Sequence, residues 1–177
     1  MPDEPTPTPT WQFESFYHTI VNARDVDETI AFYELLGFEI LDDRRNTVWP
    51  DNQGAFFGLV ADIKGTAALM RLPADPDGPM LDIIEWQVPR QEFVPNSPEV
   101  VPRVLAFRVT NVQQAFRDLK AKGVKFTKDA PNEMPEVGIV ASAACEDPNG
   151  NLVELIELEP GLRHSKIGGV YRQDPSA

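Results

Sequence analysis

A degenerate internal repeat constrains the fold of this chain more than any other feature. The segment that begins at His18 matches one that begins at Val104, an offset of 86 residues. A second matched pair, L-D-I-I-E (81–85) and V-E-L-I-E (153–157), is offset by 72 residues, so the first copy is about 14 residues longer. Such self-similarity predicts two copies of one structural unit. Acidic residues at matched strand positions suggest a site built between the two halves.

Composition limits the class of protein and its partners. A chain of 177 residues forms one domain or two small fused modules. The net charge of −12 argues against nucleic acid and against anionic membranes, because both need clustered Lys and Arg. We expect a soluble protein, since neither a signal peptide nor an apolar run of membrane-spanning length is visible.

The cysteine content indicates the redox setting. Cys145 is the single cysteine, so an intrachain disulfide is excluded and a reducing, cytoplasmic location fits best. The thiol lies in the apolar run S-A-A-C ahead of a turn. This context predicts a buried structural thiol rather than a nucleophile.

The first copy has the pattern of a strand, a helix and further strands. Alternation over 16–22 predicts a strand with His18 on one face. Asp25 is the predicted N-cap of a helix over 26–36, which Gly37 ends. Residues 46–64 are interpreted as a loop with one short helical turn. The other strands of this copy are predicted at Phe38–Leu41, Thr66–Leu72 and Met80–Val88.

The second copy repeats this order. A strand is predicted over Arg103–Val109, followed by a helix that Asn111 caps and Gly123 ends. Val124–Thr127 is predicted as a strand, and a polar loop is expected over 128–137. Two closing strands, Gly138–Glu146 and Asn151–Glu157, flank the turn D-P-N-G (147–150).

The chain therefore divides into five segments. Residues 1–12 are Pro/Thr-rich, and we expect a disordered extension there. The first βαβββ module covers 13–90, a proline-rich linker covers 91–102, and the second module covers 103–159. Residues 160–177 form a C-terminal tail or an arm that docks on a partner subunit.

Three motifs resemble those of the vicinal oxygen chelate superfamily, which includes glyoxalase I, extradiol dioxygenases and bleomycin-binding proteins. They are H-T-I-V-N-A-R-D-V, L-A-F-R-V-T-N-V and D-P-N-G-N-L-V-E-L-I-E, and the resemblance covers residues 16–158. It implies an α+β fold in which two tandem βαβββ modules form a cup-shaped, incompletely closed barrel of mixed β-sheet with the helices outside. It also implies a divalent metal ion inside the cup.

The resemblance places four ligand positions at His18, Asp82, Val104 and Glu154. Val104 cannot bind a metal, and Asp82 is shorter than the Glu or Gln usual at its position. One imidazole and two carboxylates still suffice for Fe, Mn, Ni or Zn. Glu85 is an alternative carboxylate, but strand alternation puts it on the opposite face from Asp82.

Aromatic residues are candidates for the wall of a pocket. Trp86 shares a strand face with Asp82 and is the strongest candidate for contact with a substrate. Trp49 and Phe57 are further candidates, for which core packing is the alternative.

Two functions remain open from the sequence. The leading hypothesis is a metal-dependent isomerase, lyase or dioxygenase that acts on a small oxygenated molecule, with Glu154 as the candidate catalytic base. The alternative is a metal-free protein of the same fold that binds a drug or natural product, which the loss of a ligand at Val104 favours. A homodimer is expected in either case, since members of this superfamily often pair modules between chains.

Overall fold

Two copies of one strand–helix–strand arrangement appear in the computed structural model, which describes residues 14–49, 63–90, 92–93 and 103–167. The elements of the first copy are β1 (His18–Asn22), α1 (Val26–Leu35), β2 (Glu39–Asp43), β3 (Lys64–Arg71) and β4 (Met80–Val88). Those of the second are β5 (Val104–Arg108), α2 (Val112–Ala121), β6 (Asn132–Met134), a 3-10 turn (Pro135–Val137), β7 (Ile139–Glu146) and β8 (Leu152–Leu158).

Each copy folds into its own four-stranded mixed sheet. The strand orders are β1-β4-β3-β2 and β5-β8-β7-β6, so the two sheets share one topology. The first strand of each copy runs parallel to the last, and the other neighbours are antiparallel. The predicted α+β fold of two βαβββ modules around an open cup is confirmed, and within the described residues the sheets do not close into a barrel.

The helices begin and end where the sequence predicts. The Asp25 side chain accepts a hydrogen bond from the Glu28 amide at 2.9 Å, and Asn111 accepts one from the Gln114 amide at 2.8 Å. Both side chains therefore satisfy amides that a helix leaves unpaired at its first turn. Gly37, after α1, has a φ of +93°, the left-handed conformation that glycine adopts without steric cost.

Matched carboxylates also anchor both helices to their sheets. Glu85 Oε2 accepts a hydrogen bond from the Val26 amide at 3.0 Å, and Glu157 Oε2 accepts one from the Val112 amide at 2.9 Å. Each carboxylate therefore meets the positive end of a helix dipole. This contact explains why Glu85 lies on the helix-covered face of its strand, opposite to Asp82.

The matched pair gives a test of the repeat. Replacing Glu85 or Glu157 by glutamine removes a charge from a helix N-terminus, so each variant should lose about 1 kcal/mol of stability. Urea unfolding of the two single variants measures this loss. Exposed Glu133, replaced by glutamine, serves as the control. A loss in one variant alone would contradict equivalent roles for the two carboxylates.

The helix-covered faces of both sheets contribute to one hydrophobic core. Buried residues of both copies, among them Val21, Ile83, Val153 and Leu155, belong to a single cluster. The Phe38 and Phe107 rings meet across the two copies with their centroids 5.3 Å apart. The opposite faces of the sheets carry no helix in the described residues, and we call them the cup faces.

Cys145 lies in this core. Its side chain is fully buried, as the sequence predicts, and burial raises the pKa of the thiol to about 11. A thiol that stays protonated at neutral pH is a poor nucleophile. Cys145 therefore has a packing role.

A buried polar network joins the two copies through the D-P-N-G turn. Asp147 Oδ1 accepts hydrogen bonds from the Asn149 and Asn151 amides, both at 2.8 Å. Its other oxygen accepts the Tyr33 hydroxyl of α1 at 3.1 Å. Asn149 Oδ1 in turn accepts the Arg24 amide at 2.8 Å. The turn of the second copy is therefore hydrogen-bonded to the helix of the first.

One strand prediction was wrong. Val124–Thr127 was expected to be a strand, but Phe126 forms a single bridge to Cys145 and packs its ring 4.5 Å from Phe116 of α2. The edge strand β6 lies instead at Asn132–Met134, inside the predicted loop. The predicted helical turn within 46–64 falls mainly outside the described residues. In the described part of the chain, neither helix has the length and apolar character needed to cross a membrane.

Candidate functional site

The helix-free face of the first sheet carries His18, Asp82 and Trp86. Asp82 pairs in register with Ile20 of β1 and Leu69 of β3. Its strand neighbours Leu81 and Ile83 are buried against the helix, so the Asp82 side chain points to the cup. Asp82 is nevertheless only 6% exposed, which is unusual for a carboxylate.

Arg44 explains how this carboxylate is tolerated. Arg44 follows β2, and its amide donates to the Ala67 carbonyl at 3.0 Å, which holds it beside β3. Its guanidinium Nη2 donates to Asp82 Oδ1 in a partly buried ion pair. Burial raises the pKa of Asp82, and the charges of Arg44 and His18 offset part of this effect. Arg44 was not among the residues predicted from the sequence, although a buried acidic residue in an apolar strand requires a compensating cation.

His18 lies close to this ion pair. Its charge is near enough to lower the pKa of Asp82, and its ring centroid is 4.8 Å from that of Tyr17. The Nδ1 atom is buried and has no hydrogen-bond partner among the described residues. The structure therefore brings together two of the predicted ligands, His18 and Asp82, and adds Arg44 to them.

Glu154 lies on the other sheet. It pairs with Ala106 and Ala144, and its neighbours Val153 and Leu155 are buried beneath the helix. Its side chain lines a cavity of about 110 Å³ on the cup face of the second sheet. Polar side chains around it are Ser142, Thr127, Lys128 and Asn132.

Within one chain, these residues do not fit a divalent metal ion. The described residues contain no group of three or more His, Cys, Asp and Glu that could hold one. Asp82 is already paired with Arg44, whose permanent positive charge opposes a cation at the same oxygen. Val104 is 51% exposed at the fourth position and has no donor atom.

Two of the three predicted aromatic residues lie together. The Trp49 and Trp86 rings meet edge to face with their centroids 5.5 Å apart, and Trp86 Nε1 donates to Asn22 Oδ1 at 2.8 Å. Gly65 permits this packing, because a Cβ atom there would lie 3.2 Å from the Trp49 ring and 2.7 Å from the Glu85 carbonyl oxygen. Phe57 falls outside the described residues.

Comparisons with known proteins agree with this architecture. A family model described as the Glyoxalase/Bleomycin resistance protein/Dioxygenase superfamily matches residues 15–155. No curated protein sequence matches the chain.

Solved structures share the fold at low sequence identity. A glyoxalase family protein from Bacillus cereus aligns with a TM-score of 0.70 and 14% identity, covering 86% of this chain and 99% of that one. The fosfomycin resistance protein FosX from Listeria monocytogenes, solved with Mn(II), aligns with a TM-score of 0.59 and 15% identity. The alignment covers 84% of this chain and 95% of that one. The antibiotic-binding protein TnmS3 from a Streptomyces species aligns with a TM-score of 0.57 and 21% identity. The alignment covers 84% of this chain and 99% of that one.

Proposed function

The chain belongs to the Glyoxalase/Bleomycin resistance protein/Dioxygenase superfamily, and from that premise we propose that it binds a small oxygenated organic molecule in its cup without a metal ion. One observation carries the proposal. The guanidinium of Arg44 occupies the Asp82 carboxylate that the superfamily resemblance assigns to a metal. This favours the binding-protein alternative over the metalloenzyme hypothesis.

The polar end of the proposed site is made of His18 and Arg44. Arg44 uses Nη2 for Asp82, and its Nε lies 3.6 Å from Asp42 Oδ2. Its side chain is 33% exposed, so N–H groups on the two terminal nitrogens remain for ligand oxygens. The unpartnered Nδ1 of His18 is a second polar atom that a ligand can satisfy once it enters. Carboxylate, enolate or phenolate oxygens match this pair of groups.

The apolar end is made of Trp49 and Trp86. Their rings meet edge to face on the same face of the sheet as Asp82, and each offers apolar ring surface to an aromatic ligand. Aromatic walls with a few fixed polar groups are typical of small-molecule sites. TnmS3, which shares the fold, is an antibiotic-binding protein, and this supports a small-molecule ligand.

A metal-dependent isomerase, lyase or dioxygenase is the second candidate. His18 and Asp82 remain side by side in the first sheet, while Glu154 lies on the second sheet. A homodimer that pairs the first module of one copy with the second module of the other would bring these groups together. β1 and β5 are edge strands of their sheets and would make this pairing, and Tyr17 just before β1 is 62% exposed.

The cytoplasmic location stays a prediction from the single cysteine.

Metal content and ligand binding separate the two candidates. Protein purified without chelator is loaded with Fe(II), Mn(II), Ni(II) or Zn(II), and the bound metal is measured by elemental analysis. The same protein is screened by thermal shift against aromatic phenols and carboxylic acids. We expect substoichiometric metal in every loading, and at least one ligand whose stabilisation is lost in the Arg44→Gln variant.

The controls make the outcome decisive. Arg71→Gln removes an arginine that pairs with exposed Glu39, so ligand stabilisation should be unchanged in it. One metal per chain in the wild type, lost in His18→Ala, would contradict the metal-free proposal and support the enzyme.

A further inference from the structure

A second cavity lies at the C-terminal ends of β1 and β4, away from the Asp82–Arg44 pair. Its volume is about 580 Å³, within the range of roughly 300–1,000 Å³ typical of ligand sites. Trp86, which also lies on the cup face, follows Asp82 by four positions, or roughly 13 Å along the strand. The side chains that line the cavity include Arg24, Glu85, Trp86, Gln87, Arg90 and Phe93.

Arg24 and Arg90 differ from the other described arginines of the first copy. Arg44, Arg45 and Arg71 each pair with a carboxylate. Neither Arg24 nor Arg90 forms an ion pair with an acidic side chain of the described residues. Both line one cavity in a chain of net charge −12, where acidic partners are plentiful. Two guanidinium groups that pair with no carboxylate of the described residues therefore line the same cavity.

The Arg24 guanidinium is held in place by an aromatic ring. Its central carbon lies 4.9 Å from the centroid of the Phe93 ring, in cation–π contact. The Arg24 amide is fixed by Asn149, so both ends of the residue are held. Stacking orients the plane of the guanidinium and leaves its N–H groups for an acceptor.

Glu85 is the acidic residue among those named around the cavity. Its Oε2 accepts the Val26 amide at the N-terminus of α1, where the positive end of the helix dipole offsets its charge. The described lining therefore carries two guanidinium groups and one carboxylate, which is already engaged at the helix, so its net charge is positive.

We propose that this cavity is a binding site for a small aromatic anion, a carboxylate or a phosphate ester. Arg24 and Arg90 would hold the anionic group, because a guanidinium donates two parallel N–H groups to carboxylate or phosphate oxygens. The aromatic part would lie against Phe93 and Trp86. The site shares Trp86 with the cup but uses neither Asp82 nor Arg44, so variants of Arg24 and Arg90 leave the polar end of the cup unchanged.

Calorimetric titration with benzoate, phenyl phosphate and inorganic phosphate tests the proposal. In the Arg44→Gln variant, whose cup lacks its proposed anion-binding group, we expect one saturable site, with phenyl phosphate or benzoate bound more tightly than inorganic phosphate. Arg24→Gln and Arg90→Gln should each raise the dissociation constant about tenfold or more, as expected for a lost hydrogen bond to a charged group. Arg163→Gln, which makes the same charge change at an exposed position, should leave it unchanged.

Two further measurements guard against misfolding and nonspecific attraction. Phe93→Leu keeps both charges but removes the ring that holds Arg24, so it should weaken the binding of phenyl phosphate more than that of inorganic phosphate, with circular dichroism confirming the fold. Absence of saturable binding for all three probes would overturn the proposal. So would equal affinities in the wild type and the Arg24→Gln/Arg90→Gln double variant.

Discussion

Replacing Asp147 by alanine is expected to lower the free energy of unfolding by about 3–5 kcal/mol, the range for breaking a buried charged network. Asp147 is 4% exposed and accepts hydrogen bonds from the Asn149 and Asn151 amides and from the Tyr33 hydroxyl. Alanine would leave these donors without an acceptor in the interior. Each unsatisfied donor costs about 1–3 kcal/mol, so several together account for the large effect.

Urea unfolding at neutral pH measures the loss, and Tyr33→Phe separates its parts. Phenylalanine removes one donor and leaves the other hydrogen bonds of Asp147, so we expect a loss of about 1–2 kcal/mol. A loss in Asp147→Ala no larger than that in Tyr33→Phe would contradict a network that joins the two copies.

The same tyrosine gives a pH signature. Burial, and then the Asp147 carboxylate, raise the pKa of Tyr33 above its ordinary value. The folded protein therefore keeps this proton while the unfolded chain releases it above about pH 10. The stability from Tyr33 is complete below that pH and is lost as the pH rises further. Tyr33→Phe should lack this part of the alkaline loss.

Local signals in the sequence predicted most of the fold. Asp25 and Asn111 mark the helix starts and Gly37 marks one end, because capping depends on residues a few positions apart. The strand prediction at Val124–Thr127 failed because the segment pairs with β7 over a single bridge, at Phe126, whose ring packs against Phe116 of α2. Asn132–Met134 has little strand propensity of its own and forms β6 through its partners in β7.

The candidate site was harder to predict than the fold. Strand alternation correctly assigned Asp82 and Glu85 to opposite faces of β4, since that depends on period alone. The role of Arg44 depends on a contact 38 residues away in sequence. In the run D-D-R-R, Arg44 turns to the buried carboxylate while Arg45 pairs with Asp27 and Asp43 at the surface, and periodicity alone does not distinguish the two.

Replacing Arg44 by alanine should lower the stability of the fold and remove the cation that competes with a metal ion for Asp82. The variant leaves a buried carboxylate without its main partner, which typically costs about 3–5 kcal/mol. We expect a smaller loss of stability, about 2–3 kcal/mol at neutral pH. The reason is that a third of the Arg44 side chain reaches solvent, which screens its pairing with Asp82. Asp82→Asn in the same background should recover part of this loss, since the amide carries no charge to desolvate.

The pH dependence of this variant follows from the pKa of Asp82. Burial already raises that pKa, and removing Arg44 removes a charge that lowers it. A raised pKa means that the folded state gains stability when the group is protonated, and that this stability is lost as the pH rises through the folded pKa. The difference between Arg44→Ala and the wild type should therefore shrink as the pH falls towards about 4, near the unfolded pKa. Urea unfolding between about pH 4 and neutral pH measures this difference in stability.

Metal ions then distinguish the two functions through the same carboxylate. Without Arg44, His18 and the ionised Asp82 form a neighbouring pair of ligands, so Mn(II), Ni(II) or Zn(II) should stabilise Arg44→Ala against thermal unfolding. The wild type and the Arg44→Ala/Asp82→Asn double variant should show no such shift. Equal stabilisation of the wild type would mean that a metal displaces the guanidinium from Asp82. That result would favour the metal-dependent enzyme over the metal-free binding protein. Stabilisation confined to Arg44→Ala would mean that this arginine keeps the metal out.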